Sequence, residues 1–233
     1  MAEPGSYELS AKDLEIERKP KTLWRAFTVD PRELTIESLH RPLTPGTSMQ
    51  EDPHRLGEGN EIGVYMSTNR NMVEAAYAHT SKGLLLSSPR HNDNGSTVEG
   101  VTLPQCGIVV EVDTKDLPIR NPKITPALQG HYNNGFEGDE LIANVIPPEN
   151  YRVVRLVLSR FANDNQKLTV DIPDKNPETI QTAIDKIKIE FAKREQSAKE
   201  YVSFLETLNP NQRLDSYILK RKWAQTQSQT QNS

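Results

Sequence analysis

"DELIANVIPPENYRVV", residues 139–154, is the stretch on which the fold turns. It holds two apolar, β-branched runs, "ELIANVI" (140–146) and the start of "YRVVRLVLSRF" (151–161), with Pro147-Pro148 and Glu149-Asn150 between them. β-branched residues suit a pleated, packed surface, and proline cannot donate to a ladder, so the stretch reads as a pair of adjacent strands joined by a proline turn. Just upstream, "HYNNGFEGD" (131–139) is a glycine-rich turn, and Glu137, Asp139 and Glu140 form a carboxylate cluster at the mouth of the first strand.

Working outward, "TLWRAFTV" (22–29) ends at Asp30-Pro31 as a strand followed by a turn, and "PRELTIESL" (31–39) reads as a brief helix. Residues 40–61 carry three prolines, three glycines and few apolar groups, which predicts a long surface loop. "IGVYMST" (62–68) is the next strand. Asn71 with Glu74 three residues on has the form of a helix start, and predicts a helix over "MVEAAYAHT" (72–80). Residues 87–100 read as loop, and "GIVVEVD" (107–113) alternates like a strand. The three prolines of "LPIRNPKITPALQG" (117–130) argue against regular structure.

From residue 176 the texture changes. Asn176-Pro177-Glu178 supplies a cap, a proline at the first helical position and an acidic first turn. Ile180, Ile184, Ile187 and Phe191 then recur at helical spacing, and Tyr201, Phe204, Leu205 and Leu208 continue the stripe after an expected break near Gln196-Ser197. Asn209-Pro210 ends the pattern, and "AQTQSQTQNS" (224–233) has the composition of a disordered tail. The expected organisation is one main domain over 1–175, a helical extension over 176–223 and a tail over 224–233.

A net charge of -4, with both signs interspersed, gives no general attraction to nucleic acid or anionic membranes. The single cysteine, Cys106, excludes an internal disulfide and a cysteine-based zinc cluster, which suits a reducing compartment. Neither a hydrophobic signal segment nor a run of some eighteen apolar residues is present, so the expectation is a soluble protein, cytoplasmic or delivered into a target cell without a classical signal peptide.

Three places put polar, reactive groups in strand contexts: Arg25 in "LWRAF", Ser67-Thr68 in "YMSTN", and Glu140 at the head of "ELIANVI". Each alone reads as surface pairing, cap chemistry or a solvated turn. In this order, however, they resemble the Arg, Ser, Glu class of mono-ADP-ribosyltransferases, a class rich in bacterial toxins and effectors. "LWRAF" stands where that class has aromatic-Arg-Gly. "YMSTN" stands for its Ser-Thr-Ser motif with Asn69 in place of the last serine, and "DELIANVIPPENYRVV" stands for its catalytic glutamate, apolar strand, proline turn and second strand. The resemblance covers roughly residues 22–158.

The resemblance implies an α+β fold, an ADP-ribosyltransferase-like split β-sandwich flanked by helices, here with a C-terminal helical extension. It implies NAD as substrate, no metal, release of nicotinamide, and transfer of ADP-ribose to a macromolecular acceptor, a protein by first expectation. Glu140 would bind a ribose hydroxyl and stabilise the oxocarbenium-like transition state, while Arg25 would hold a phosphate of NAD. Ser67 would brace the site near Glu140, Thr68 would hold backbone or ribose, and Tyr77 is a candidate lining residue for the nicotinamide. Members that modify arginine carry Glu or Gln two residues before the catalytic glutamate, where this chain has Gly138, so the acceptor is left open. Tyr132 and Phe136 are candidates to face it.

Other groups point to no chemistry. His40, His54, His79, His91 and His131 lack paired ligand spacing, Cys106 reads as a buried filler, and Lys220-Arg221-Lys222 reads as a solvated helix end. Two competing readings remain: a non-catalytic module of the same fold that binds a nucleotide, or a protein partner through the C-terminal helices; and an NAD-using transferase acting on an RNA 2'-phosphate, whose paired histidines this chain lacks.

Overall fold

The strand read from "TLWRAFTV" is β1 (Thr22–Val29), with the bounds the sequence suggests. The structure, a computed structural model, describes residues 19–45, 63–74, 84–87, 90–91, 97–98, 101–121, 140–158, 167–207 and 223. After β1, Asp30 caps a 3-10 turn over Pro31–Glu33 by accepting from the Arg32 backbone N–H, and α1 (Ile36–Leu39) follows. Thr35 and Ser38 brace the start of α1 reciprocally: each side-chain oxygen accepts the other residue's backbone N–H, at 2.9 and 3.1 Å. The predicted brief helix over 31–39 is thus two short pieces. Next come β2 (Val64–Ser67) and α2 (Arg70–Val73). The cap of α2 is Asn69, whose Oδ1 accepts from the Met72 N–H at 3.1 Å, and not Asn71. Asn69 has the extended φ and ψ of a cap, whereas Asn71 already lies inside the helix.

β3 (Leu84–Ser87) pairs with β6 (Val101–Leu103), and between them β4 (Arg90–His91) pairs with β5 (Thr97–Val98). These ladders replace part of the loop expected over 87–100. β7 (Cys106–Asp113), β8 (Glu140–Ala143), a 3-10 turn at Pro148–Asn150, β9 (Tyr151–Leu158), β10 (Leu168–Asp171) and α3 (Pro177–Thr207) complete the described elements.

The class is α+β, with a six-stranded antiparallel sheet of order β10-β9-β7-β1-β2-β8 and a long C-terminal helix. β8 and β9 are neighbours in sequence but not in the sheet, where β2, β1 and β7 stand between them. The 3-10 turn after Pro147 therefore carries the chain across the sheet instead of closing a hairpin. β7 also departs from expectation. Its positions Cys106, Ile108, Val109, Val110 and Val112 are all buried rather than alternating, because an interior strand can be withdrawn from water on both faces.

The chain divides into two compact units, one formed by Met1–Arg25, His40–Glu74 and Val110–Arg152, the other by Ala26–Leu39, Ala75–Val109 and Val153–Ser233. In the first, β8 is fastened on two sides. It pairs along its length with β2, and Ile142 exchanges reciprocal backbone hydrogen bonds with Arg120 at 2.9 and 3.0 Å. Just beyond β8, Ile146 does the same with Leu43, again at 2.9 and 3.0 Å. Met66, Ile142 and Ile146 are almost fully buried there, and the hydroxyl of buried Tyr151 donates to the Arg41 carbonyl at 2.7 Å.

In the second unit α3 packs on β10, β6, β3, α1 and the Pro31–Glu33 turn. It runs unbroken through Gln196-Ser197. Its buried positions include Ile180, Ile184, Ile187, Phe191, Arg194, Ala198 and Tyr201, alternating steps of four and three. In the structure the Arg194 stem fills the seam and its Nε donates to Glu190 at 3.0 Å, so a side chain with an apolar stem and a charged end keeps the stripe continuous. Trp223 is buried against Tyr201 and Phe204, with ring centroids 5.7 and 5.5 Å away.

Candidate functional site

The three motifs lie on three neighbouring strands, β1, β2 and β8. Register makes the relation specific: Trp24 of β1 is opposite Ser67 of β2, and Ser67 is opposite Glu140 of β8. Residues 24, 67 and 140 thus form one row across the sheet. Directly opposed residues of an antiparallel pair are close cross-strand neighbours, with Cβ atoms about 4.5–5.5 Å apart. Glu140 is described by its backbone, which opens β8 at this position.

Ser67 is 1% exposed, unusual for a hydroxyl residue at a strand end. Its Oγ accepts the Asn69 backbone N–H at 3.0 Å. That bond turns the chain out of β2, and Asn69 in turn caps α2, so the strand-to-helix corner is held by two consecutive side chain to backbone contacts. Thr68 is exposed at this corner.

Arg25 is the residue after Trp24, one step off the row. Successive strand side chains leave on opposite faces. Its Nη1 donates to the Tyr65 carbonyl of β2 at 3.0 Å, tying β1 to β2. Register therefore places Ser67 and Glu140 directly opposite one another, with Arg25 one step off their row. Two residues that the motifs do not single out stand here as well. Trp24 enters them only as an aromatic letter, and Arg70 lies in none of them; the guanidinium carbon of Arg70 lies 5.0 Å from the centroid of the Trp24 ring. An aromatic at the row position and an arginine just after the Asn69 cap were the available signals.

Tyr77, Tyr132, Phe136, Glu137, Gly138, Asp139 and His131 lie outside the described residues. Among the described residues, no group of three or more His, Cys, Asp or Glu is arranged to hold a metal ion, and no helix is long and apolar enough to cross a membrane. Cys106 is fully buried, and burial pushes its thiol up to about 12, so it is held as an inert thiol rather than a nucleophile. Comparison with protein-family models, curated proteins and solved structures gave no match to this chain.

Proposed function

We propose that the chain is an NAD-dependent mono-ADP-ribosyltransferase of the Arg, Ser, Glu class, toxin- or effector-like, with the finer fold of that class, a split β-sandwich flanked by helices. The observation that carries the reading is the pairing of Ser67 on β2 with Glu140 on β8, where β2 also neighbours the strand that bears Arg25. Motif order in a sequence does not require that arrangement; a catalytic constellation does.

The chemistry follows from charge. The bond between nicotinamide and ribose breaks with its electron pair leaving on the nicotinamide nitrogen, so the departing base becomes neutral and positive charge grows on the ribose. A carboxylate at position 140 stabilises that charge and binds a ribose hydroxyl. A nucleophilic atom of the acceptor then bonds to the anomeric carbon and gives up a proton. Ser67, fixed by its bond to Asn69, braces the carboxylate's surroundings, and Thr68 is exposed where it can meet backbone or ribose. Arg25 is the guanidinium that motif order offers to the phosphates. The acceptor is a macromolecule, a protein in the first instance.

The test is nicotinamide release from NAD by the purified protein. Glu140→Gln should lower that release by about a hundred- to a thousandfold, the scale for loss of a transition-state electrostatic contact. NAD affinity should stay within roughly severalfold, because the carboxylate acts mainly in the transition state. Wild-type protein that binds NAD and never cleaves it would instead be a non-catalytic nucleotide-binding module.

A further inference from the structure

We infer that Arg70, seated on Trp24, is the guanidinium that grips the pyrophosphate of the dinucleotide at the row formed by Trp24, Ser67 and Glu140, and that Arg25 serves chiefly to brace β1 against β2. The inference deepens the transferase reading and rests on it for the identity of the ligand. Three observations carry it.

The first is the face of the sheet. Trp24 is opposite Ser67 and Ser67 opposite Glu140, so whatever stacks on Trp24 stands on the row's own face. Arg70 does so, at 5.0 Å from the ring centroid. Arg25, one residue along, leaves the strand on the other face, and one of its donors is committed to the Tyr65 carbonyl at 3.0 Å.

The second is the placement of a guanidinium over an aromatic ring. The Arg70 guanidinium lies over the Trp24 ring, held there by a cation–π attraction, and its fork of N–H donors is the group that a phosphate can accept two at a time. The ring supplies part of the attraction and restricts the long side chain, so less freedom is lost when the anion arrives.

The third is the fixed anchor point. Arg70 follows directly on Asn69, whose backbone N–H is held by the buried Ser67 hydroxyl and whose side chain caps α2. The same hydroxyl that lies opposite position 140 therefore also sets where the arginine begins. One buried serine thus ties the register of position 140 to the start of the helix that carries the cation.

The experiment measures ADP-ribose affinity by calorimetry, and nicotinamide release over a range of NAD concentrations, on the full chain. The proteins are wild type, Arg70→Ala, Arg70→Lys, Arg70→Gln and Arg25→Ala, each with its melting temperature. Arg70→Ala should weaken ADP-ribose binding about ten- to a hundredfold, the range for losing hydrogen bonds to a charged group, and raise KM by a similar factor with a much smaller change in kcat. Arg70→Lys should recover only part of the loss, since an ammonium lacks the fork. Arg25→Ala should show the smaller binding loss and the larger drop in melting temperature.

Wild-type affinity in Arg70→Ala, or a binding loss that falls on Arg25→Ala instead, overturns the inference. Should Arg70→Ala fail to fold, Arg70→Gln, which keeps a planar group on the ring, decides in the same way. A wild-type protein that binds ADP-ribose without releasing nicotinamide ends the transferase reading alone, and the Arg70 comparison still stands or falls on affinity. A wild-type protein that binds neither ligand ends both.

Discussion

Helix α3 and the row across β1, β2 and β8 use their buried positions in opposite ways. α3 withdraws a regular seam, Ile180, Ile184, Ile187, Phe191, Arg194, Ala198 and Tyr201, and even its one charged member contributes an apolar stem. The row buries Ser67, a hydroxyl residue, to 1% exposure between Trp24 on one side and position 140 on the other, with Arg70 over the Trp24 ring. Residues arranged by period hold an element in place. Residues arranged by register, against their own packing preference, mark where chemistry is expected.

The comparison breaks most readily at Ile184, which is fully buried on α3. Ile184→Ala should cost about 2–5 kcal/mol, read as a lower urea midpoint, while nicotinamide release per folded molecule stays within roughly twofold of wild type. A normal midpoint, or a specific loss of activity, would show that the helix is no mere packing element.

Ser67→Ala should invert that outcome. Removing the hydroxyl takes the acceptor from the Asn69 N–H, for about 0.5–1.5 kcal/mol, and loosens the corner that carries Arg70. Activity should fall by more than the stability change explains, measured as kcat/KM on protein shown to be folded at the assay temperature. Equal kcat/KM in the variant would reduce Ser67 to a turn residue.

A last effect is a pH dependence that belongs to the packed interior rather than the row. Burial raises the Cys106 thiol from 9.0 to about 12 and the Tyr151 hydroxyl from 10.0 to about 12. A raised folded value means that the unfolded chain loses its proton first. Stability is therefore unaffected below about pH 8.5, declines above it at up to about 1.4 kcal/mol per pH unit through Cys106, and declines further above about pH 10, where Tyr151 begins to lose its proton in the unfolded chain. Urea midpoints from pH 8 to 11 should show that decline, and Cys106→Ala should show a shallower one.

Much of the fold was legible where a side-chain pattern is local. β1 has the predicted bounds, β7 and β9 lie where the β-branched runs place them, and α3 starts at the cap and proline the sequence shows: Asn176 accepts from the Glu178 N–H at 2.9 Å. What failed was either too short to carry a period or depended on the order of strands in the sheet. β4 and β5 are two residues each and carry no period to detect. β10 alternates only over Leu168–Asp171, too short to stand out before its pairing with β9 is known. The adjacency expected of β8 and β9 failed because chain order does not fix sheet order.

The site was legible to the same degree. Motif order singled out Ser67 and Glu140, whose opposition is a fact of register, but nothing local reveals that Trp24 rather than Arg25 shares their row. That distinction is one residue wide. It is visible only once β1 is laid against β2.

The double fastening of β8 has an evolutionary consequence. Because Arg120 and Ile142 clasp each other at the base of the intervening segment, and Leu43 and Ile146 clasp just past the strand, residues 122–139 can gain or lose length without sliding position 140 along β2. Longer connections raise closure entropy only slowly. On the transferase reading, a lineage could thus vary that connection many times over while inheriting the pairing of Ser67 with position 140. A single residue gained inside β8, by contrast, would break that pairing in one step.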